Sequence, residues 1–191
     1  TLARAQQGTA YDFFTALEAE SGAALPTWAG ELYLETHQGT LTSQAWIKRA
    51  NRHTERLLHD TEFLCAYASL LDTAYVYPRE ALNAAWRVLL LNQFHDILPG
   101  SSIGAVYVDS RAQFESLTRD VTALHAAALA VIRTHIGGDL LVINSSSFTR
   151  DDVALWHGHD IAASLLNADG ERIPAQNTTD GALIRVNVPP Y

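Results

Sequence analysis

The sequence predicts a mainly α protein in which a three-helix bundle is followed by the first strands of an antiparallel β-sandwich. Three observations support this fold class. Apolar residues recur with a period close to 3.6 along three long stretches between residues 44 and 136, as they do in amphipathic helices. Gly137 and Gly138 then stop the helical pattern. Beyond them, residues 184–188 alternate between apolar and polar side chains, which is typical of a half-buried strand.

The helical part begins with a short helix and continues with three long ones. Aromatic and aliphatic residues at helical spacing predict the short helix at residues 11–20. The long helices are expected at residues 44–71, 78–95 and 102–136. Thr42 or Ser43 can cap the first of these, and Pro99-Gly100 should stop the second. Because the links between them are short, an up-down-up bundle is the natural arrangement.

Extended segments are expected on both sides of the bundle. Residues 31–35 have polar ends and an apolar centre, which favours a strand. After Gly138 the sequence pattern changes to short apolar runs separated by turn residues. These runs lie at residues 140–143, 153–156, 164–166 and 184–188. They indicate an all-β region that starts near Asp139.

The composition is that of a folded protein with an acidic surface. The chain has 191 residues, of which 48% are hydrophobic, and its formal net charge is −8. The negative charge argues against a general nucleic-acid binder. No apolar run approaches the roughly eighteen residues that a membrane span requires. The single cysteine, Cys65, excludes an internal disulfide, and its apolar neighbours predict a buried position on a helix.

Adjacent His95 and Asp96 form the most informative polar cluster. They should lie near a helix C-terminus, where the backbone turns away and a ligand can approach. A neutral imidazole is a common metal ligand, and a carboxylate can bind a metal or sugar hydroxyls. The alternative is a histidine at a helix end beside a solvated aspartate.

Two other polar clusters carry weaker signals. Residues 35–43 place hydroxyls and the His37 imidazole in a glycine-containing loop at a helix start, where backbone N–H groups could bind an anion or a hydroxyl. Plain N-capping is the alternative. Residues 157–160 contain His157 and His159, which could bind a metal. Since no further cluster supports that role, an exposed polar loop is the favoured interpretation.

Three stretches of the chain, in this order, match a known family. They are ELYLETHQGT at residues 31–40, KRANR at residues 48–52 and NQFHDILPGSS at residues 92–102. Together they resemble the glycoside hydrolase family 38 α-mannosidases, and most closely their bacterial, cytosolic and vacuolar branch. The resemblance implies the end of a catalytic domain at residues 1–40, a helical middle domain at residues 41–136 and the start of a C-terminal β-sandwich domain at residues 139–191.

The resemblance implies a zinc-dependent retaining enzyme that hydrolyses terminal α-mannosides of oligosaccharides. His95 matches the one histidine that this region gives to the zinc, and Asp96 matches a carboxylate that holds mannose hydroxyls. His37 and Thr42 are expected to contact the substrate. In the family the other zinc ligands, the nucleophile and the acid/base carboxylate lie upstream, so no catalytic residue is expected here. Leu41 stands where relatives carry an aromatic residue near the sugar.

Location and partners follow from the same resemblance. It implies a cytoplasmic protein whose partner is a mannose-containing oligosaccharide, with neither nucleic acid nor membrane as a partner, and it leaves a homo-oligomer of the full-length enzyme open. The chain begins with Thr1 and contains no methionine. We therefore expect it to be part of a longer protein and to be inactive alone.

Two other functions remain open at this stage. A His-Asp-type metal-dependent phosphohydrolase also uses an adjacent histidine and aspartate, but it needs further histidines on neighbouring helices, for which His53 and His59 are candidates. A metal titration of this chain distinguishes the two enzymes, because only the phosphohydrolase binds metal without upstream ligands. A non-catalytic helical interaction module would instead need a broad exposed apolar face.

Overall fold

The chain forms two compact units, Thr1–Gly39 and Thr40–Tyr191. The structure is a computed structural model that describes residues 5–31, 35–138, 140–157 and 165–190. Most of the strand expected at residues 31–35 lies outside the described residues, and Glu35 begins a 3₁₀ helix, Glu35–Leu41. The domain boundaries that the resemblance implies stay a prediction.

The first unit contains the short helix α1, Ala10–Ser21, which confirms the helix predicted at residues 11–20. The side chain of Thr9 caps it by accepting a hydrogen bond of 3.1 Å from the amide of Asp12. The negative charge of Asp12 in the first turn also suits the positive end of the helix dipole. None of the α1 side chains is buried, so its cap contributes directly to its stability.

Three long helices form the bundle, as predicted. They are α2 (Ala45–Leu71), α3 (Arg79–Asn92) and α4 (Gly104–Ile136). Trp46 contacts Phe114 edge-to-face, and further along both helices Thr61 Oγ1 lies 3.2 Å from His125 Nδ1. Helices α2 and α4 therefore run parallel, as the up-down-up arrangement requires. At 1.5 Å per residue they are about 40 and 50 Å long, whereas α3 is only about 20 Å long.

Because α3 is short, the bundle has two apolar clusters. Where all three helices meet, the buried residues are Ile47, Leu58, Leu82, Ala85, Leu89, Tyr107, Phe114, Leu117 and Val121. Beyond α3, the buried residues come from α2 and α4 alone and are Leu64, Cys65, Ala68, Ala128 and Ile132. The predicted burial of Cys65 is confirmed, and burial raises the pKa of its thiol. Helix α3 thus contributes buried side chains to only one of the two clusters.

Three details of the helices differ from the sequence expectation. The residue that caps α2 is Gln44, in a left-handed conformation, rather than Thr42 or Ser43. Helix α3 ends at Asn92 and not at His95, because the Gln93 amide bonds instead to the carbonyls of Leu90 and Leu91 in a tighter turn. Leu90, which belongs to the apolar stripe in the sequence, is exposed.

No helix in the described ranges is both long and apolar enough to cross a bilayer.

The apolar run at residues 140–143 is not a strand, which corrects the sequence expectation. The side chains of Leu141 and Ile143 pack instead on the second cluster of the bundle. Next to them, Ser145 Oγ donates a hydrogen bond of 2.7 Å to the carboxylate of Asp60 on α2. The segment is apolar because it covers the part of α2 and α4 that α3 leaves open.

The C-terminal part is a small antiparallel sheet, as predicted. Strands β1 (Arg150–Trp156), β2 (Ala175–Thr178) and β3 (Gly181–Val188) lie in the order β1-β3-β2. Strand β2 was not predicted, because its sequence is polar and all its residues are exposed. Of the run at residues 164–166, residue 164 lies outside the described residues, and Leu166 forms an isolated bridge with Arg172. In β3, Ile184 is buried, Val186 and Val188 are partly buried, and Arg185 and Asn187 are exposed, which confirms the alternation predicted at residues 184–188.

Leu89 and Leu90 provide a matched test of this core. Leu89 is fully buried, whereas 57% of Leu90 is exposed. We expect Leu89→Ala to lower the free energy of unfolding by about 2–5 kcal/mol, because it leaves a cavity among three helices. Leu90→Ala should stay within about 0.5 kcal/mol of the parent. Urea unfolding followed by circular dichroism measures both, and equal losses would contradict the placement of α3.

Candidate functional site

His95 and Asp96 lie in the segment that joins α3 to α4, residues 93–103, here called the His-Asp loop. Both side chains are well exposed, at 76% and 58%, and 3.5 Å separates His95 Nε2 from Asp96 Oδ2. The imidazole ring packs against the ring of Phe94, with 4.2 Å between the centroids. The loop therefore presents a nitrogen and an oxygen donor, side by side, on an open surface.

Hydrogen bonds within the loop fix its backbone. Turn bonds run from the amides of Phe94, Ile97 and Gly100 to the carbonyls of Leu91, Phe94 and Ile97. The Asp96 carboxylate accepts a hydrogen bond of 3.1 Å from Ser101 Oγ. The Asp96 carbonyl accepts one of 2.7 Å from Ser102 Oγ. The two serines thus restrain both the side chain and the backbone of Asp96.

Helix α4 anchors the loop through Tyr107. The Tyr107 hydroxyl accepts a hydrogen bond of 2.9 Å from the amide of Ser102 and donates one of 3.2 Å to the carbonyl of Asp96. Its ring is buried in the three-helix cluster. One side chain therefore links the apolar core to the backbone on both sides of the turn.

Helix α2 anchors the loop from the other side. Lys48 Nζ donates a hydrogen bond of 2.9 Å to the carbonyl of Pro99 and another to the carbonyl of Ser43. One turn later, Asn51 Oδ1 accepts a hydrogen bond of 3.0 Å from the side-chain amide of Gln93. Burial lowers the pKa of Lys48. The first residue of the loop and Pro99 are thus both tied to one face of α2.

Gly100 allows the loop to approach α2 closely. Its φ is +95°, a region that favours glycine. A Cβ at this position would lie 2.7 Å from the carbonyl oxygen of Ser43, which is backbone and cannot rotate away. The glycine is therefore required twice, by its own conformation and by this contact.

The other substrate-contact residues expected from the sequence lie before α2. Thr42 is exposed in the turn that precedes α2, next to the Ser43 that touches Gly100. His37 is exposed in the 3₁₀ helix Glu35–Leu41 and belongs to the first compact unit. Leu41 is also exposed. Their contact with a substrate stays a prediction.

The donor set of the His-Asp loop fits a zinc ion only in part. Imidazole nitrogen and carboxylate oxygen are both zinc ligands, but protein zinc sites use three or four such groups. Across the part of the chain that the structure describes, no group of three or more His, Cys, Asp or Glu side chains could hold a metal. His95, alone or with Asp96, could therefore supply part of a site whose remaining ligands come from elsewhere.

The remaining histidines that the sequence raised do not add to this site. His53 and His59 line a different cavity of about 670 Å³ between α2 and the sheet, so the arrangement that a His-Asp-type phosphohydrolase needs is absent among the described residues. His157 Nδ1 donates a hydrogen bond of 3.1 Å to the carbonyl of Asp180. Residues 158–160 of that cluster lie outside the described residues.

The opposite face of the start of α2 is strongly basic. A cavity of about 900 Å³ between α2 and α4 is lined by Arg49, Arg52, Arg56, Arg111 and Arg119. The guanidinium group of Arg111 lies 4.3 Å from the centre of the Trp46 ring, a favourable cation–π distance. His95, Asp96, His37 and Thr42 do not line this cavity, whereas His53 lines it as well as the cavity beside the sheet.

Sequence reasoning missed the residues that hold the loop. It predicted no individual role for Lys48, Asn51, Gln93 or Tyr107. Two signals were present in the sequence. Lys48 and Asn51 belong to the KRANR stretch, and Lys48 is the only lysine among the chain's 13 basic residues.

Comparisons with known proteins agree on one family. A family model described as the alpha mannosidase middle domain matches residues 35–132. The chain is 41% identical over 154 residues to "Alpha-mannosidase 2C1" of Mus musculus and 37% identical over 133 residues to "Alpha-mannosidase" of Saccharomyces cerevisiae. These matches cover 80% and 69% of this chain. The chain spans only 15% and 12% of the length of these relatives.

The fold is also that of a solved structure. The crystal structure of an alpha-mannosidase from Enterococcus faecalis V583 superposes with a TM-score of 0.56 at 19% identity. The superposition covers 94% of this chain and 26% of that one. A helical bundle followed by antiparallel strands is therefore an arrangement that occurs within a larger protein.

Gly100 and Gly104 provide a matched test of the loop geometry. We expect Gly100→Ala to lower the free energy of unfolding by about 1–3 kcal/mol, because the added Cβ meets backbone and the φ is unfavourable. A Cβ at Gly104, the first residue of α4, meets nothing within 4 Å. Gly104→Ala should therefore raise stability by about 0.4–1 kcal/mol. Urea unfolding decides, and a neutral Gly100→Ala would contradict the contact with Ser43.

Proposed function

Because the chain belongs to the glycoside hydrolase family 38 α-mannosidases and contains their middle domain, we propose that it is part of a zinc-dependent retaining enzyme that hydrolyses terminal α-mannosides of oligosaccharides. The observation that carries the proposal is the His-Asp loop, which exposes His95 and Asp96 on a doubly anchored backbone. The chain spans only 15% of the matched mouse relative. The activity would therefore belong to a longer protein.

In this proposal His95 is the zinc ligand that the chain supplies. With upstream ligands completing the site, His95 would hold a zinc ion that would supply Lewis-acid chemistry and help to orient the sugar. The contact between the His95 and Phe94 rings restricts the orientation of the imidazole. A restrained ligand loses less conformational entropy when it binds a metal than a freely rotating one does.

Asp96 is assigned to the substrate. Its Oδ1 accepts one hydrogen bond from Ser101, which leaves lone pairs on both carboxylate oxygens for sugar hydroxyls. Hydrogen bonds to an ionised carboxylate are roughly twice as strong as those between neutral groups. The serines that restrain Asp96 would keep these acceptors in place, so binding would not have to order them.

The rest of the reaction lies outside this chain in the proposal. A retaining glycosidase needs a nucleophile and an acid/base carboxylate about 5 Å apart, and we assign neither to a residue here. His37 and Thr42 would contribute further substrate contacts. The cytoplasmic location implied by the resemblance, with an oligosaccharide rather than nucleic acid or membrane as partner, is part of the same proposal.

Exposed apolar residues beside the loop support a place within a larger enzyme. Leu90, Leu91, Phe94 and Ile103 are all more than half exposed. An isolated helical module could use such residues to bind a partner. The match to the middle-domain family favours the simpler view that other parts of the same enzyme cover them.

The purified 191-residue chain should not hydrolyse an aryl α-mannoside, because the proposal assigns both catalytic carboxylates to other parts of the enzyme. Release of the chromogenic aglycone measures this directly. The full-length enzyme under the same conditions is the positive control. Turnover by the short chain that disappears in Asp96→Asn would show that the chain carries its own catalytic carboxylates.

His95→Ala and Asp96→Asn should separate the two roles in the full-length enzyme. Loss of His95 removes a ligand, so metal content and activity should fall together. Asp96→Asn keeps the shape and removes the charge, so it should cost about 1.5–3 kcal/mol of transition-state stabilisation while zinc stays near stoichiometric.

Elemental analysis beside kcat and KM decides between the roles. If Asp96→Asn loses its zinc and His95→Ala keeps it, the assignment is reversed. If neither variant changes zinc content or rate, the pair has no part in the reaction and the proposed site is wrong.

A further inference from the structure

Lys48 is the only lysine of the chain, beside twelve arginines, and its ammonium group donates hydrogen bonds to two separate backbone segments. We infer that Lys48 is a positioning residue that fixes the His-Asp loop in the geometry that the site requires. We call the hydrogen bonds of Lys48 to the carbonyls of Ser43 and Pro99 the clamp. The consequence for zinc and sugar rests on the proposed function, whereas the clamp itself does not.

The clamp joins two segments that are distant in sequence. Lys48 Nζ donates to the carbonyl of Pro99, 51 residues away, and to the carbonyl of Ser43, just before α2 begins. Pro99 follows Asp96 by three residues and precedes the Gly100 that touches Ser43. The same two backbone segments are therefore held together in two ways: by the hydrogen bonds of the Lys48 ammonium group and by the close packing of Gly100 against Ser43.

The chemistry explains why a lysine stands here in an arginine-rich chain. An ammonium group is a compact point charge with three donors, whereas a guanidinium group is a planar fork that suits carboxylates. Both acceptors found for Lys48 are single carbonyl oxygens that belong to different segments. Lys48 is partly buried, so its ammonium group loses some hydration, and the two charge-assisted hydrogen bonds offset that cost.

The KRANR stretch divides its residues between two faces of α2. Lys48 and Asn51, three residues apart, both face the His-Asp loop: Asn51 bonds to its first residue, Gln93, and Lys48 bonds to Pro99. Arg49 and Arg52 line the basic cavity on the other side. Arg49 is thus the natural control for Lys48, because it carries the same charge on the same helical turn without touching the loop.

Loss of the ammonium group should loosen the segment that carries His95 and Asp96. A displacement of about 1 Å in a catalytic group can cost on the order of 100-fold in rate. Loss of a group that orients a metal ligand typically lowers metal affinity by about 10- to 100-fold. The inference therefore makes Lys48 important for the site although it touches neither the metal nor the sugar.

The first experiment tests the clamp in this chain by NMR with ¹⁵N-lysine. A single lysine gives a single side-chain ¹⁵Nζ signal without assignment. We expect its ammonium protons to exchange with water at least about 10-fold more slowly than those of free lysine, because two carbonyls hold them. Exchange as fast as in free lysine would overturn the inference, whatever happens to any variant.

Amide hydrogen exchange in variants reports on the loop itself. Lys48→Met keeps most of the stem and removes the donors, so exchange of the Gly100 and Ser102 amides should accelerate by about 10-fold or more. Arg49→Met should leave both amides unchanged. Lys48→Arg keeps the charge but replaces the ammonium group by a planar guanidinium group, so its exchange rates should lie between those of the other two variants. This variant also provides the test if Lys48→Met does not fold. Equal exchange rates in wild type, Lys48→Arg and Lys48→Met would overturn the clamp.

The second experiment uses the full-length enzyme and measures zinc affinity by chelator competition beside kcat and KM. We expect Lys48→Met to lower zinc affinity and kcat/KM by about 10- to 100-fold, with Arg49→Met within about twofold of wild type. A lower unfolding temperature with unchanged zinc affinity and kcat/KM would make Lys48 merely structural and overturn the positioning role. If the wild-type enzyme itself binds no zinc and hydrolyses no mannoside, the proposed function fails, and the exchange data still decide whether Lys48 holds the loop.

Discussion

The parallel packing of α2 against α4 is the interaction on which the rest of the structure depends. It brings the starts of both helices to the same end of the bundle, where Trp46 near the start of α2 contacts Arg111 and Phe114 of α4. The chain must return to that end before α4 can start, and α3 provides this return. The His-Asp loop consequently lies between the starts of α2 and α4, so that residues from both helices can bond to it.

A loop of this kind needs polar partners because its backbone groups are not part of a helix or sheet. Lys48 from α2 and Tyr107 from α4 bond to its backbone, and Asn51 bonds to the side chain of Gln93. These three anchors lie within the first two turns of their helices. The backbone of the site is therefore tied to the bundle end that carries it, although the side chains of His95 and Asp96 are exposed.

The sequence predicts those features that repeat along the chain. The 3.6-residue period locates all three long helices, and the alternation at residues 184–188 locates β3. It fails where a residue's environment comes from a distant segment. The apolar run at residues 140–143 has the composition of a strand, yet Leu141 and Ile143 are apolar because they cover the bundle. Strand β2 is polar because all its residues are exposed.

The same limit applies to the site. A histidine and an aspartate before Pro99-Gly100 predict a turn that binds a ligand. Both residues do lie in a turn, and the binding of a ligand there stays a prediction. Two partners of that turn are distant in sequence: Lys48 is 51 residues from Pro99, and Asn51 is 42 residues from Gln93. Spacing along the chain cannot identify such partners. In the sequence Lys48 looks like one more charge on a solvated helix face, and only the meeting of three helices gives it a different neighbour.

This arrangement separates the two requirements of the proposed enzyme. The chain contains the interactions that hold His95 and Asp96 in place, from Tyr107 on one side to Lys48 on the other. Among its described residues it lacks the further ligands that would complete a metal site. A middle domain that holds His95 and Asp96 by its own contacts can position these two donors before the remaining metal ligands are in place. Assembly of the site then requires the docking of preformed surfaces rather than the ordering of a flexible loop, which would lower the entropic cost of completing it.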